Sequence, residues 1–160
     1  MTKTELLDRE RLLMSQDVEL SRQFRMMSRN TGIYVVVEDD ESIQQLLSIL
    51  IKTRGRTAVA FSDADTASDY INKHSKESIA CCIVDLNLHH TNGEKLVDWL
   101  EEKHRDIPVL VYTGDAIRGT NVKSKYPWIN VLFKGRNHSI RTLMNALGLR
   151  DVDGPALMTG

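Results

Sequence analysis

Ile33-Tyr34-Val35-Val36-Val37-Glu38-Asp39-Asp40-Glu41 is the stretch on which the rest of the chain is read. Five consecutive apolar residues, apolar at every position, have the pattern of a strand buried on both faces of a sheet. Four acids follow at once, so this strand delivers carboxylates to its own carboxyl end. Ile43, Leu46, Leu47, Leu50 and Ile51 come next, and their alternating spacing of three and four lines one face of a helix. The same alternation then repeats. Thr57 to Phe61, Ile79 to Val84, Val109 to Tyr112 and Ile129 to Phe133 read as further strands, with helical stretches beginning near Ala64, Glu94, Ala116 and His138. Five strand–helix units joined by short loops predict a doubly wound α/β domain, a five-stranded parallel sheet covered by helices on both faces.

Outward from this core, the 160 residues are about the length of a single domain, and 41% hydrophobic with 27% charged residues is ordinary for a globular chain. Lys and Arg total 21 against 22 Asp and Glu. This balance gives no global attraction to nucleic acid or anionic membrane. No apolar run approaches the ~20 residues that span a bilayer, and the first residues mix acids and bases, unlike a secretory signal. The expectation is a cytoplasmic protein without membrane insertion. Cys81 and Cys82 are adjacent in an apolar strand, where successive side chains point to opposite faces, so they read as reduced core residues.

Residues 3–28 lack Gly and Pro and are rich in helix formers, predicting one long helix before the body. Leu6, Leu13, Leu20 and Met27 recur every seven residues without a second apolar seam, which argues against a strong coiled coil. A solvated extension and a dimerisation or partner-docking helix both remain open, with Asn30 and Gly32 closing the segment. The final residues contain Gly and Pro without periodicity and read as a tail. The expected division is therefore 1–31 as an N-terminal helical extension, 32–149 as the body and 150–160 as a flexible tail.

In a doubly wound sheet, function sits at the carboxyl ends of the strands near the point where strand order reverses. The first strand ends in Glu38-Asp39-Asp40-Glu41, the third in Asp85, the fourth in Thr113 and the fifth in Lys134. Taken singly, these residues have plain structural uses as helix caps, turn formers and strand terminators. Together they place acids, a hydroxyl and an ammonium on one edge. Clustered carboxylates repel one another unless a cation joins them, and hard oxygen ligands with open positions suit Mg²⁺. Such a site supports phosphoryl transfer to a carboxylate. Asp85 would serve as ligand and nucleophile, Lys134 would neutralise developing charge, and Thr113 would donate to a phosphate oxygen.

With these residues in hand, Ile33 to about Leu149 resembles the receiver (CheY-like) domain of bacterial two-component response regulators. VVVEDDESIQQLL, CCIVDLNLHHTNG, VLVYTGDA and VLFKG carry the resemblance through their order and spacing. It implies a (βα)5 fold of strand order 2-1-3-4-5, here with an extra N-terminal helix. It also implies Glu38 and Asp39 as the acidic pair, Asp85 as phosphoacceptor, Thr113 as switch hydroxyl and Lys134 as the site lysine. Mg²⁺ would be held by Asp39, Asp85 and the backbone carbonyl of Asn87, and through water by Glu38. Gly93 fits the family's turn before the next helix. The implied partners are a histidine kinase or histidine phosphotransfer protein and a downstream protein target. A homodimer would form through the N-terminal helix or through the face of the body's fourth helix, fifth strand and fifth helix.

The sequence also departs from the family pattern. His89 stands four residues after Asp85, where the family usually has Pro, which predicts a looser loop. Gly135 replaces the Pro that usually follows the lysine, and Val131 stands where many relatives carry a rotating aromatic. Asp115, two residues after Thr113, adds an acid that could alter water access to an acyl phosphate. His89 and His90 read as exposed loop histidines, since no third soft ligand is nearby. Three functions compete. The first is a single-domain response regulator that signals through protein contacts, since nothing after Leu149 is long enough for a DNA-binding unit. The second is a receiver-like scaffold or dimerisation adaptor independent of phosphorylation. The third, a haloacid-dehalogenase-type phosphohydrolase, needs a second Asp two residues after the nucleophile, where this chain has Asn87.

Overall fold

The computed structural model describes residues 2–28, 32–74, 78–135 and 140–149. Helix α1 (Lys3–Ser28) precedes a body of β1 (Ile33–Val37), α2 (Glu41–Lys52), β2 (Thr57–Phe61), α3 (Ala64–Lys73), β3 (Ile79–Val84), α4 (Gly93–Lys103), β4 (Val109–Thr113), α5 (Ala116–Lys125), β5 (Asn130–Phe133) and α6 (Ile140–Ala146). All strand pairs are parallel, in the order β2-β1-β3-β4-β5. The doubly wound five-stranded sheet expected from the alternation is therefore observed, together with the extra helix. Differences at the element ends are small and have local causes. Thr113 belongs to β4 because it pairs with Phe133, whereas Ile129 precedes β5 because its N–H closes a turn onto the Tyr126 carbonyl. The expected helix start near His138 and the boundary residue Asn30 lie outside the described residues, as does the segment 150–160.

Alternating strand side chains divide the core in two. Val35, Val37, Cys82, Val84, Val109 and Val111 face one layer, formed by Ala67 and Ile71 of α3, Leu96, Val97 and Leu100 of α4 and Val122 of α5. Tyr34, Val36, Cys81, Ile83 and Leu110 face the other, with Leu47 and Ile51 of α2 and Leu143, Met144 and Leu147 at α6. Neighbours Cys81 and Cys82 thus lie on opposite faces, as the strand period requires. The β1–β3 register slips at Ala80, which places Ala80 and Cys81 together in the same layer, as a bulge does. Tyr34 closes that layer by donating its hydroxyl to the Leu147 carbonyl at 2.7 Å.

Local signals set the helix starts. Thr2 and Glu5 exchange backbone-to-side-chain hydrogen bonds in a capping box at α1. Asp40, Asp63, Asn92 and Asp115 cap α2, α3, α4 and α5 with their side-chain oxygens. Among the described residues, no helix is long and apolar enough to cross a membrane. With β2 and β3 on either side of β1, the strand order reverses around β1 and β3, so the crevice lies beyond Val37 and Val84.

Candidate phosphoacceptor site

Buried polar residues occupy this crevice. Backbone pairing continues just past the strands: the Glu38 N–H donates to the Phe61 carbonyl and the Asp85 N–H to the Val37 carbonyl. These bonds seat the acids at the sheet edge. Glu38 is 2% exposed and Asp85 4%. Glu38, Asp39 and Asp85 each offer a carboxylate oxygen, and the three oxygens lie within 4.8 Å of one another. Lys134 reaches in from the end of β5, its Nζ donating to Glu38 Oε2 at 2.7 Å and to Asp85 Oδ2 at 3.0 Å. The same Nζ lies 5.8 Å from the centre of the Tyr112 ring, whose π face favours a cation.

The electrostatics follow from burial. Burial pushes the Glu38 carboxyl up to about 7, with the Asp85 charge adding to the rise and the Lys134 hydrogen bond opposing it. At Lys134, burial pulls the ammonium down, but its hydrogen bonds to Glu38 and Asp85 outweigh that and leave it raised. One ammonium facing three carboxylates leaves a local excess of negative charge. The donor set is entirely hard oxygen. Both features fit a divalent cation such as Mg²⁺.

Four residues named from sequence therefore meet: Glu38, Asp39, Asp85 and Lys134. Asn87 lies beside them, its N–H donating to Asp85 Oδ1 at 3.1 Å. Thr113 is fully buried at the same edge, where its hydroxyl accepts from the Asp115 N–H at 3.1 Å. Asp115, read as a further acid near the site, has its Oδ1 engaged in capping α5 through the Arg118 N–H. At the position of the family's aromatic, Val131 joins the core; the aromatic of β5 on that face is Phe133, two residues on and paired with Thr113. Trp128 is turned to α4, where it donates to Glu101.

Three features of the surrounding loops shape the site. The loop after β3 is tied down rather than loose. His89 is held on Asp39, Thr91 Oγ1 accepts from the Ala64 N–H, and Asn92 caps α4. Gly93 is the first residue of α4, directly after the loop. A Cβ there would lie 2.2 Å from the Asp85 carbonyl oxygen and 2.6 Å from Leu86 Cα, so only glycine lets α4 start against the Asp85 backbone. Gly135 has φ of 76°, which proline cannot adopt, and its peptide bond to Lys134 is trans.

Two participants were missed. The imidazole of His89 contacts Asp39, and Arg118 pairs with Glu94 while its guanidinium lies 3.5 Å from Asn87 and Asn92. A sequence signal existed for Arg118. A cation in the first turn of a helix opposes the dipole, and one placed there calls for a partner.

Comparison with known proteins agrees with this geometry. A family model described as the response regulator receiver domain matches residues 34–126. The response regulator protein TodT of Pseudomonas putida is 26% identical over 90 residues, covering 56% of this chain and 38% of TodT. The CAI-1 autoinducer sensor kinase/phosphatase CqsS of Vibrio cholerae is 27% identical over 112 residues, covering 66% of this chain and 16% of CqsS. The chain thus spans less than two-fifths of these curated relatives. Among solved structures, a response regulator receiver protein from Pseudomonas putida superposes with a TM-score of 0.64 at 21% identity, covering 75% of this chain and 98% of that one. Chemotaxis protein CheY4 of Vibrio cholerae gives 0.62 at 19% identity, covering 73% and 96%. Those two likenesses establish the fold, and the match over residues 34–126 establishes the kinship: this chain belongs to the response regulator receiver domain family.

Proposed function

We propose that the chain accepts a phosphoryl group on Asp85 from the phosphohistidine of a histidine kinase or histidine phosphotransfer protein, and that it signals through protein contacts in the cytoplasm. The observation that supports this most is the convergence on one buried carboxylate of the Lys134 ammonium and two further acids. An Asp85 oxygen attacks the phosphorus, the O–P bond forms as the P–N bond breaks, and the imidazole leaves with the bonding pair and takes up a proton. Lys134 offsets charge on the transferred group. Glu38, Asp39, Asp85 and the Asn87 carbonyl would hold Mg²⁺, which when bound neutralises phosphoryl oxygens. Asn87 keeps the other oxygen of Asp85 oriented through its N–H.

Thr113 gives the acyl phosphate a hydroxyl donor. The Lys134 N–H donates to the Thr113 carbonyl at 2.8 Å, so the ends of β4 and β5 are coupled. A pull on Thr113 therefore reaches the surface of α5, β5 and α6, to which we assign the downstream target. This is the face of the body's fourth helix, fifth strand and fifth helix. We read residues 1–31 as an addition to the receiver body at 32–149.

A second reading, a dimerisation adaptor working through α1, is favoured by one observation. Leu6, Leu7, Leu12 and Leu13 are all exposed on that helix. A Leu6→Gln/Leu13→Gln double variant that keeps the wild-type mass in light scattering removes this reading.

The phosphoacceptor is tested by incubating the chain with phosphoramidate and Mg²⁺, trapping acyl phosphate with borohydride and mapping the modified peptide. Reduction at position 85, absent when Mg²⁺ is chelated, is expected. Stable phosphate on His89 or His90 in place of modification at Asp85 overturns the assignment.

A further inference from the structure

His89 brings two donors to one oxygen. Its backbone N–H donates to Asp39 Oδ2 at 2.9 Å, and its ring Nδ1 contacts the same Oδ2. An ionised carboxylate can only accept, so the ring carries its proton on Nδ1 in this contact. The side chain is 80% exposed while that of Asp39 is 13% exposed. Burial in a core therefore does not account for where the imidazole lies; the pair of hydrogen bonds does. A proline at this position would have neither N–H nor imidazole, so both contacts come from the residue by which this chain departs from its family's pattern.

We propose that His89 is a positioning residue of the metal site, fixing the Asp39 carboxylate through Oδ2 so that Oδ1 meets a divalent cation already oriented. The inference rests on the metal reading given above and deepens it. An unrestrained Asp side chain must be ordered when the ion binds, whereas a carboxylate held beforehand avoids that entropic cost. Hydrogen bonds to metal-ligating groups characteristically change affinity without contacting the ion. His89 also links the two loops that border the crevice, since Asp39 follows β1 and His89 follows β3.

The test is calorimetric titration of the metal-free full-length chain with MgCl₂, comparing wild type with His89→Ala, His89→Asn and His89→Pro. Removing the ring is expected to weaken Mg²⁺ binding by about tenfold. The asparagine amide nitrogen occupies nearly the position of imidazole Nδ1, so His89→Asn is expected to recover most of the loss. His89→Pro, lacking both donors, is expected to bind more weakly than His89→Ala. Thermal melting in chelator checks the fold, and the exposed ring predicts a melting temperature for His89→Ala equal to wild type. If His89→Ala binds Mg²⁺ as tightly as wild type, or more tightly, the positioning role is wrong and the metal reading stands. A folded wild type that binds no Mg²⁺ overturns the metal reading and this inference with it.

Discussion

The crevice and the loops that border it solve different problems. In the crevice, Glu38, Asp39, Asp85 and Lys134 act through charge, and each is the residue type that the family resemblance implies at its position. In the loops, Gly93 and Gly135 act through backbone geometry, a contact that excludes a Cβ and a positive φ, while His89 acts through a ring and an N–H that proline lacks. Two of these three, His89 and Gly135, depart from the family's usual residues. The difference teaches that charge chemistry here is anchored in residue identity, while the loops that present it reach their geometry through residues of this chain's own.

The largest effect is expected at Lys134. Lys134→Ala leaves Glu38 and Asp85 buried without their cation, and an expected loss of about 3 kcal/mol in urea denaturation of the metal-free protein follows. Its pH dependence distinguishes a crevice effect from a loop effect. Glu38 has a folded pKa raised from 4.5 to about 7, so its contribution is fully present below 4.5 and is lost as pH rises through about 7. Without Lys134 the carboxyl rises further, so the variant is expected to be more destabilised at pH 8 than at pH 5.

Loop substitutions are expected to show no such pH signature. Gly93→Ala forces a Cβ onto the Asp85 backbone, where no flexible side chain can yield. The expected cost is about 2 kcal/mol, with slower phosphorylation because Asp85 itself is displaced. Gly135→Ala meets nothing within 4 Å, so only the positive φ opposes it, at about 1 kcal/mol in the same denaturation assay. An equal cost at Gly93 and Gly135 would contradict the distinction between close approach and backbone conformation. The smallest effect is expected at Arg118→Ala. It severs a partly exposed pair with Glu94 and should cost below about 1 kcal/mol, less still in high salt.

The same division explains what was legible. Strand β1 is readable because burial on both faces demands apolar residues throughout, and its observed span equals the expected one. Glu38, Asp85 and Lys134 are readable because the chain places them directly after strands whose carboxyl ends must share an edge. Arg118 and His89 depend on how far one loop leans toward another, and that distance has no local code. His89 and Asp39 are fifty residues apart. Gly93 shows a subtler limit, since glycine signals both turns and close approaches, and only the position of Asp85's carbonyl tells them apart. For α1, helix propensity and the Thr2–Glu5 box reveal the helix, but exposed leucines do not say what covers them.

The proposed nucleophile is Asp85. Intact-protein mass after incubation with phosphoramidate and Mg²⁺ tests it most directly, with wild type compared against Asp85→Asn and against a chelated sample. One added phosphoryl group on wild type and none on either control is expected. An adduct that persists on folded Asp85→Asn, or a folded wild type that gains none, would contradict it.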